Sequence, residues 1–345
     1  MSNTESLWRS SARSFLTSFF KVLGFIFALL PILLLIGGAV NYEEDKPESE
    51  FNINVVSNHE GKRERLKSKA TILEMDISGF IGGEGLNKGK ISQMLVESRE
   101  GDLKNDLVKG VLLNINTPGG SAIDSDTIYR LVKMYKEKYN VPVYAFVDGM
   151  CASGGMYIAC SADKVMATPT SIIGSVGVVI GPFFNFSEPL AKWGIQSQTL
   201  TAGNNKDPFN PFRPWKENEG SNLKLVMENF YQEFIDVVSA NRPELTIEKL
   251  KSDFGAGIYP TSMALKYGYI DQTVTSRDEA LLQLVEAAEL DPNDYQVVKL
   301  EKENFLANLF KADAKILQGK VEHRISLGSE LPRELHGQVL YLFQP

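Results

Sequence analysis

The chain has 345 residues, a length typical of about two domains. Hydrophobic residues make up 43% of it and charged residues 23%, a composition typical of a globular protein rather than a disordered one. The 36 Lys and Arg residues against 43 Asp and Glu residues give a net charge of −7, which argues against a body that binds nucleic acid. Two cysteines are too few for a disulfide scaffold.

The histidines limit the chemistry of the central body. There are three, His59, His323 and His336, so none lies between residues 60 and 322. This excludes a His-based catalytic triad and a metal site with several His ligands from that region. Acid–base chemistry there must use another residue type, and the sequence indicates neither a metal nor a cofactor.

The N-terminal region contains one long apolar segment. Residues 22–40 carry no charge and would span roughly 28 Å as a helix, close to the thickness of a hydrocarbon core. Basic residues (Arg9, Arg13 and Lys21) precede the segment, and acidic residues follow it. The positive-inside rule therefore predicts a single-pass helix in the lipid of the cell membrane, with residues 1–21 in the cytoplasm and the rest of the chain extracytoplasmic.

A cleaved signal peptide is the alternative interpretation of this segment. Gly37, Gly38 and Ala39 are small enough to form a cleavage site. The apolar run is longer than the usual core of about 7–15 residues in a signal peptide, which favours an uncleaved anchor.

Three regions are predicted after the apolar segment. Residues 41–69 are polar and charged, which is typical of a linker. Residues 70–290 form the predicted folded domain, and residues 291–345 form a C-terminal extension. The extension ends in a strand-like run, VLYLF at 339–343, which could pair with a sheet edge in this subunit or in a neighbour.

The folded domain is predicted to alternate strands and helices. Short apolar runs between turn residues predict the strands, and longer amphipathic runs predict the helices. Ser121 is the expected N-cap of the first helix. This alternation predicts an α/β fold with substantial parallel pairing. The predicted strands are residues 70–77, 110–116, 141–148, 164–168, 175–180 and 195–200, and the predicted helices are residues 121–139, 153–161 and 217–240.

Two glycine-rich junctions each join a predicted buried strand to a helix. They are residues 116–120 (NTPGG) and 149–155 (GMCASGG). Helix N-termini offer free backbone N–H groups and a partial positive charge, and glycine lets the backbone approach a ligand closely. The two junctions together could therefore stabilise an oxyanion. For either junction alone, a simple chain turn is the alternative.

Ser153 is the candidate nucleophile in the second junction. It lies among small residues at a helix start, where its hydroxyl could be exposed, and the alternative is a serine that only caps the helix. Because the region has no histidine, lysine is the remaining common base, provided that burial lowers its pKa. Lys206 lies in a polar loop, and its surroundings alone favour a surface lysine paired with Asp207.

The two cysteines, Cys151 and Cys160, are expected to be small buried residues. On one helix they would be roughly 13 Å apart, too far for a disulfide. No neighbouring basic group would activate Cys151 as a nucleophile.

Several motifs, in the order found here, resemble those of the SppA-type signal peptide peptidases, serine–lysine peptidases of the Clp protease/crotonase superfamily. The motifs lie at residues 116–120, 149–179 and 201–212, and residues 257–272 are similar to the closing motif of that family. The resemblance implies that residues 70–290 are a Ser-Lys peptidase domain. It implies an α/β, Clp protease/crotonase-like domain with parallel-sheet ββα units, preceded by one N-terminal transmembrane helix.

The resemblance also implies roles for individual residues. Ser153 matches the nucleophile and Lys206 the general base of a serine endopeptidase. The backbone N–H groups of Gly120 and Gly154 match the oxyanion hole. Ser175 matches a possible hydrogen-bond partner of the lysine.

The function implied by the resemblance is the degradation of remnant signal peptides and other short apolar peptides through an acyl-enzyme. The family also implies a homo-oligomeric ring. Two alternatives remain. A crotonase-like acyl-thioester enzyme could use the same glycine junctions, but the predicted anchor and the presence of both Ser153 and Lys206 argue against it. A non-catalytic membrane scaffold would carry a long coiled coil, and no sustained heptad run occurs.

Overall fold

A computed structural model describes residues 13–25, 27–29, 51–63, 69–302 and 339–343. The chain divides into two compact units, Met1–Glu50 and Phe51–Pro345. In the first unit, residues 13–25 form a helix, α1, and residues 27–29 are also helical.

The predicted membrane span, residues 22–40, is only partly described. Residues 22–25 and 27–29 belong to the helical stretch, whereas residues 26 and 30–40 lie outside the described residues. Of the helices that the structure describes, none is both long enough and apolar enough to cross a membrane.

Strands and helices alternate along the second unit, as predicted for an α/β fold. The strands are β1 (Phe51–Val56), β2 (Thr71–Ser78), β3 (Val108–Thr117), β4 (Gly119–Ser121), β5 (Val143–Ala152), β6 (Lys164–Ala167), β7 (Ile172–Gly174), β8 (Ile258–Pro260), β9 (Gln272–Thr273), β10 (Gln296–Lys302) and β11 (Leu340–Leu342). The helices are α2 (Lys88–Glu97), α3 (Ala122–Tyr139), α4 (Gly154–Ala159), α5 (Ser187–Lys192), α6 (Ser221–Asn241), α7 (Ile247–Lys249), α8 (Thr261–Tyr267) and α9 (Arg277–Ala287).

One mixed, mostly parallel sheet organises the unit. In the described part of the chain it has nine strands, with the main order β1-β10-β2-β3-β5-β6-β9. Strand β7 pairs with the end of β5, and β8 pairs with β7. Within this sheet the pairs β1–β10 and β7–β8 are antiparallel, and a separate antiparallel pair joins β11 to β4.

The sheet is covered on both faces, which explains its continuous apolar strands. On β3, Leu113 packs in a cluster with residues of α3 and α4, whereas the adjacent Leu112 packs in a second cluster with residues of α9. Successive side chains of a strand point to opposite faces, so both positions are buried. Helix α3 begins as predicted, because the Ser121 side chain accepts a hydrogen bond from the Asp124 N–H at 3.3 Å.

The structure corrects the boundaries of the folded domain. Residues 51–56, inside the predicted linker 41–69, form the edge strand β1, and the compact unit begins at Phe51. Strand β10, inside the predicted extension 291–345, pairs with both β1 and β2. Residues 51–56 form a strand because apolar and polar residues alternate in FNINVV, which buries Phe51 and leaves the two asparagines exposed.

Two predicted strands are not strands in the structure. Residues 175–178 have no regular structure, and Val179 forms an isolated bridge to Leu340, whereas the strand of this region is β7, immediately before. Residues 195–200 follow α5 with exposed side chains, so they have no buried face on which a strand could pack.

Candidate active site

Ser153 lies where β5 ends and α4 begins. Its backbone has φ 54° and ψ −114°, a sparsely populated conformation, and the residue is completely buried rather than exposed. Its side chain makes no cap hydrogen bond, and Oγ has no hydrogen-bond partner among the described residues. A purely capping role for Ser153 is therefore not supported. A strained backbone and an unpaired buried hydroxyl are typical of a functional serine at a sharp strand-to-helix turn.

The two glycine-rich junctions are neighbours in space. A Cβ atom added to Gly119 would lie 2.8 Å from the N atom of Gly154. Gly119 also has a φ of 100°, so both the backbone and the available space favour glycine there. The predicted oxyanion-hole residues, Gly120 and Gly154, thus belong to two backbone segments in close contact beside Ser153, an arrangement that can stabilise a developing negative charge.

Ser175 lies beside the backbone that holds the candidate nucleophile. The Ser153 N–H donates a hydrogen bond to the Gly174 carbonyl at 2.8 Å, and the Ser175 N–H donates to the Gly257 carbonyl at 2.7 Å. Ser175 is buried and has a positive φ of 56°. Its predicted hydrogen bond with Lys206 does not occur in the structure.

Lys206 is exposed, and within the described residues its ammonium group has no hydrogen bond or ion pair. It does not pair with Asp207, because that carboxylate binds Arg213 instead, at 2.9 Å. Since Ser153 Oγ also lacks a hydrogen-bond partner, Ser153 and Lys206 do not hydrogen-bond to each other in the single chain. The structure therefore brings together the candidate nucleophile, both glycines and Ser175, but not Lys206, the candidate base.

The segment after Lys206 is held by an ion-pair network. The Arg213 guanidinium binds Asp207 on one side and Glu219 on the other, both at 2.9 Å. The Glu219 carboxylate also accepts hydrogen bonds from the backbone N–H groups of Phe209 and Lys216. These donors, Arg213 first among them, lower the pKa of Glu219 to about 2.

Aromatic side chains cover part of the same segment. The ring of Phe209 stacks on Phe183 with centroids 4.2 Å apart and meets Trp215 edge-on at 5.3 Å. Phe212, three residues after Phe209, is 51% exposed. The rings near Lys206 thus form a partly exposed apolar surface rather than a closed pocket.

The cysteines are buried, as predicted from the sequence. Burial raises the pKa of the Cys160 thiol to about 12 and raises the pKa of the Cys151 thiol further. Both thiols are therefore protonated at neutral pH and are poor nucleophiles.

Sequence reasoning missed an aromatic cluster next to Ser153. Tyr157 lies one helical turn after Ser153 on α4, and its ring stacks on Tyr341 of β11 at 5.2 Å. Its hydroxyl donates a hydrogen bond to the Asp126 carboxylate at 2.9 Å. Burial, and to a lesser extent the charge of Asp126, raises the pKa of Tyr157. The spacing of Ser153 and Tyr157 and the strand pattern of residues 339–343 were the available signals, but neither shows that β11 lies against β4.

Two family models match the part of the chain that carries this site. The model described as Clp protease matches residues 89–174, and the model described as Peptidase family S49 matches residues 135–291. Ser153 lies in both ranges, whereas Ser175 and Lys206 lie only in the second.

Several curated proteins and solved structures are similar to this chain. A putative protease of Synechocystis sp. is 32% identical over 238 residues, which cover 69% of this chain and 81% of that protein. A putative signal peptide peptidase SppA of Enterococcus faecium is 30% identical over 214 residues, covering 62% of this chain and 60% of that protein. A solved structure of a mutant of the 1510-N membrane-bound stomatin-specific protease has a TM-score of 0.40 and 16% identity, covering 69% of this chain and all of that one.

The match does not extend over the whole of some relatives. The chain spans 18% of the length of two curated proteins to which it is 39% identical over 132 residues, and 65% of a third.

The architecture and the sequence matches agree. The mostly parallel α/β sheet is the Clp protease-like fold, and the matched ranges contain both glycine-rich junctions and the buried serine between β5 and α4. The chain belongs to peptidase family S49.

Proposed function

We propose that the chain is a membrane-anchored serine endopeptidase that degrades remnant signal peptides and other short apolar peptides. Ser153 is the nucleophile and Lys206 the general base. The observation that carries the proposal is the Ser153 hydroxyl, which is buried, unpaired and next to the N–H of Gly154 on a strained strand-to-helix turn. Membership of the S49 family supports the peptidase activity.

In the proposed reaction, neutral Lys206 accepts the proton of Ser153 Oγ while that oxygen bonds to the carbonyl carbon of the peptide. The N–H groups of Gly120 and Gly154 donate hydrogen bonds to the oxyanion. The carbon–nitrogen bond then breaks, and the amine leaves with the proton held by Lys206. Water hydrolyses the acyl-enzyme and restores the Ser153 hydroxyl.

Lys206 has to reach Ser153 and lose its water shell for this reaction. Catalytic contacts are often long in a substrate-free site and tighten in the complex. Movement of the segment that carries Lys206, or contact with a second subunit, would bring the two residues together. The rings of Phe209 and Trp215 would then shield the lysine from water.

The substrate class and the location rest on the sequence. The uncharged residues 22–40 support an anchor in the cell membrane, with the peptidase domain on the extracytoplasmic side. An anchored peptidase on that side meets apolar signal peptides left in the membrane. The motifs shared with the SppA-type peptidases support the same class of substrate and a homo-oligomeric ring.

Hydrolysis of an apolar signal-peptide fragment by the full chain in detergent tests the proposal. Ser153→Ala and Lys206→Ala should each lower kcat/KM at least about 10³-fold, because each removes a group that takes part in the transition state. Melting temperature and oligomeric size should stay at the wild-type values.

Two matched variants serve as controls. Ser161→Ala removes another buried serine, just after α4, and Lys216→Ala removes another exposed lysine of the same segment. Both should cleave like the wild type. If Ser153→Ala also cleaves like the wild type, the assigned site is wrong.

A further inference from the structure

The end of strand β3 lies between the two glycine-rich junctions. Its last two residues are Asn116 and Thr117, and successive side chains of a strand point to opposite faces of the sheet. Asn116 is exposed on one face, whereas Thr117 is completely buried on the other. Both side chains contact the second junction, residues 149–155, the first through a hydrogen bond and the other through its methyl group.

Asn116 lies at an irregularity in the pairing of β3 with β5. The register of the two strands shifts between Ile115 and Thr117. Asn116 is the single residue of β3 in this interval, and it faces residues 148–150 of β5. Extra residues in one strand disrupt the ladder and leave backbone groups without a partner in it. The Asn116 side chain replaces the missing acceptor, because its Oδ1 accepts a hydrogen bond from the Met150 N–H at 3.1 Å.

Gly149 allows this hydrogen bond to form. A Cβ atom added to Gly149 would lie 2.6 Å from Asn116 Oδ1, and the φ of Gly149 is 118°. The first glycine of the second junction is therefore needed for the close approach of the Asn116 amide. Residues 150–152 then pair with β7, and the Ser153 N–H donates to the Gly174 carbonyl at 2.8 Å. Asn116 thus fixes the start of the short segment that leads to the candidate nucleophile.

Thr117 contacts both junctions from the buried face. Its hydroxyl donates to a backbone carbonyl in the loop after β2 and accepts a hydrogen bond from the Gly119 N–H at 3.0 Å. Its methyl group lies against the second junction, since a Cβ atom added to Gly155 would be 2.6 Å from Thr117 Cγ2. Gly119 precedes Gly120, and Gly155 follows Gly154. Thr117 therefore contacts the immediate neighbours of both predicted oxyanion-hole residues.

We propose that Asn116 and Thr117 are positioning residues, which set the separation of the two N–H groups of the oxyanion hole. Both act through the backbone of the junctions and not on the substrate. An oxyanion hole stabilises the transition state only when its donors are directed at the same oxygen atom, so a small change in their separation lowers the rate. This inference rests on the proposed function, because it concerns the N–H groups of Gly120 and Gly154.

Hydrolysis of an apolar signal-peptide fragment by the full chain tests the role of Asn116. Asn116→Leu keeps the shape of the side chain but removes the oxygen that binds the Met150 N–H, and it should lower kcat about 10–10²-fold at unchanged KM. Asn116→Asp keeps an accepting oxygen and should retain kcat to within about threefold. Asn114→Leu is the matched control, because Asn114 lies on the same face of β3 but donates to Asp76, at 3.1 Å. It should cleave like the wild type.

A second pair of variants tests the role of Thr117. Thr117→Val keeps the shape of the side chain and removes the hydroxyl that accepts the Gly119 N–H, so it should also lower kcat about 10–10²-fold. Thr117→Ser keeps the hydroxyl and should stay close to the wild type. Kinetics are recorded well below the lowest melting temperature of the set, so that loss of folded protein does not lower kcat.

Inhibition by a peptide boronic acid separates positioning from general destabilisation. The boron atom bonds to Ser153 Oγ and becomes tetrahedral, so one of its oxygens takes the place of the oxyanion. The inhibition constant should rise in Asn116→Leu and Thr117→Val about as much as kcat falls. Affinity for the uncleaved peptide, measured by fluorescence anisotropy with Ser153→Ala added to each variant, should stay unchanged.

The outcomes distinguish this inference from the proposed function. Hydrolysis by the wild type, with the same kcat and inhibition constant in Asn116→Leu and Thr117→Val, would contradict only the positioning role. An equal loss of kcat in Asn114→Leu, or weaker binding of the uncleaved peptide in place of a lower kcat, would also contradict it. A wild type that neither cleaves the peptide nor binds the boronic acid would overturn the proposed function, and this inference with it.

Discussion

Gly119 has no side chain, which allows several backbone segments to pack closely around it. Its carbonyl accepts a hydrogen bond from Ile81, and its N–H donates to the Thr117 hydroxyl at 3.0 Å, which fixes the turn between β3 and β4. A Cβ atom there would collide with the Tyr341 carbonyl and lie 2.8 Å from the Gly154 N atom. A methyl group at this position would therefore disturb the proposed oxyanion hole directly.

Replacing Gly119 with alanine should lower kcat/KM for peptide hydrolysis about 10²-fold or more, because the two oxyanion donors would be pushed apart. The backbone strain at φ 100° should also destabilise the fold by about 1–3 kcal/mol. Steady-state kinetics and thermal denaturation measure the two effects.

Gly61→Ala is the matched control, because Gly61 also has a positive φ of 79° but has no atom within 4 Å of its added Cβ. It should show the loss in stability without the loss in activity. Equal activity of the two variants would contradict a catalytic role for the Gly119 region.

At the scale of elements, the Arg213 network gives the segment next to Lys206 its fixed shape. Arg213 bridges Asp207 and Glu219, so the chain between these two carboxylates closes into a loop. The indole N–H of Trp215 donates to the Asn210 carbonyl at 3.0 Å inside the same loop. Asp207, the residue that follows Lys206, is part of this loop, so the ordering of the loop affects the position of the proposed base.

Acid should loosen this loop between about pH 4.5 and about pH 2. The pKa of Glu219 is lowered in the folded chain, so the stabilising contribution of its carboxylate is fully present above the ordinary pKa and is lost as the pH falls through about 2. The fluorescence of Trp215, in a variant with Phe at the two other Trp positions, should shift to longer wavelength over this range.

Glu217→Gln is the control for this titration, since Glu217 is an exposed carboxylate of the same loop. It should keep the acid transition, whereas Glu219→Gln should show the loosened spectrum already at neutral pH. Trp215 emission that stays constant down to pH 2 would contradict the role of Glu219.

The elements around Ser153 could be predicted from the sequence because their signals are local. The apolar runs of β3 and β5, the Ser121 cap and the glycines between them fix each strand-to-helix junction from neighbouring residues alone. The edge strand β1 was missed, since its exposed asparagines are typical of a linker. Strand β10 was missed because its place between β1 and β2 depends on partners far away in the chain.

The positions of β11 and of Lys206 relative to the rest of the fold were not predictable in the same way. The position of β11 against β4 depends on partners more than 200 residues apart, and no local pattern encodes it. The exposure of Lys206 likewise depends on how its loop packs. The positions of Ser153 and the glycines at the two junctions therefore follow from the sequence, whereas the exposure of Lys206 and the position of β11 do not.

At the scale of the whole molecule, the second unit exposes large apolar side chains around the segment that carries Lys206. Trp193 is 75% exposed, Leu200 87% and Phe184 64%. Large apolar side chains exposed together on a protein surface commonly mark an interaction site. A second copy of the chain that covers this surface would also place the exposed Lys206 at a subunit interface.

Mixing two inactive variants tests whether the proposed dyad forms between subunits. Ser153→Ala keeps the lysine and Lys206→Ala keeps the serine, so co-assembly of equal amounts should restore about a quarter of wild-type activity if each site takes one residue from each of two adjacent subunits. The control mixture of Ser153→Ala with the double variant contains no intact serine and should stay inactive. If size-exclusion chromatography shows co-assembly but peptide hydrolysis is not restored, the serine and the lysine must instead meet within one chain, by movement of the segment around Lys206.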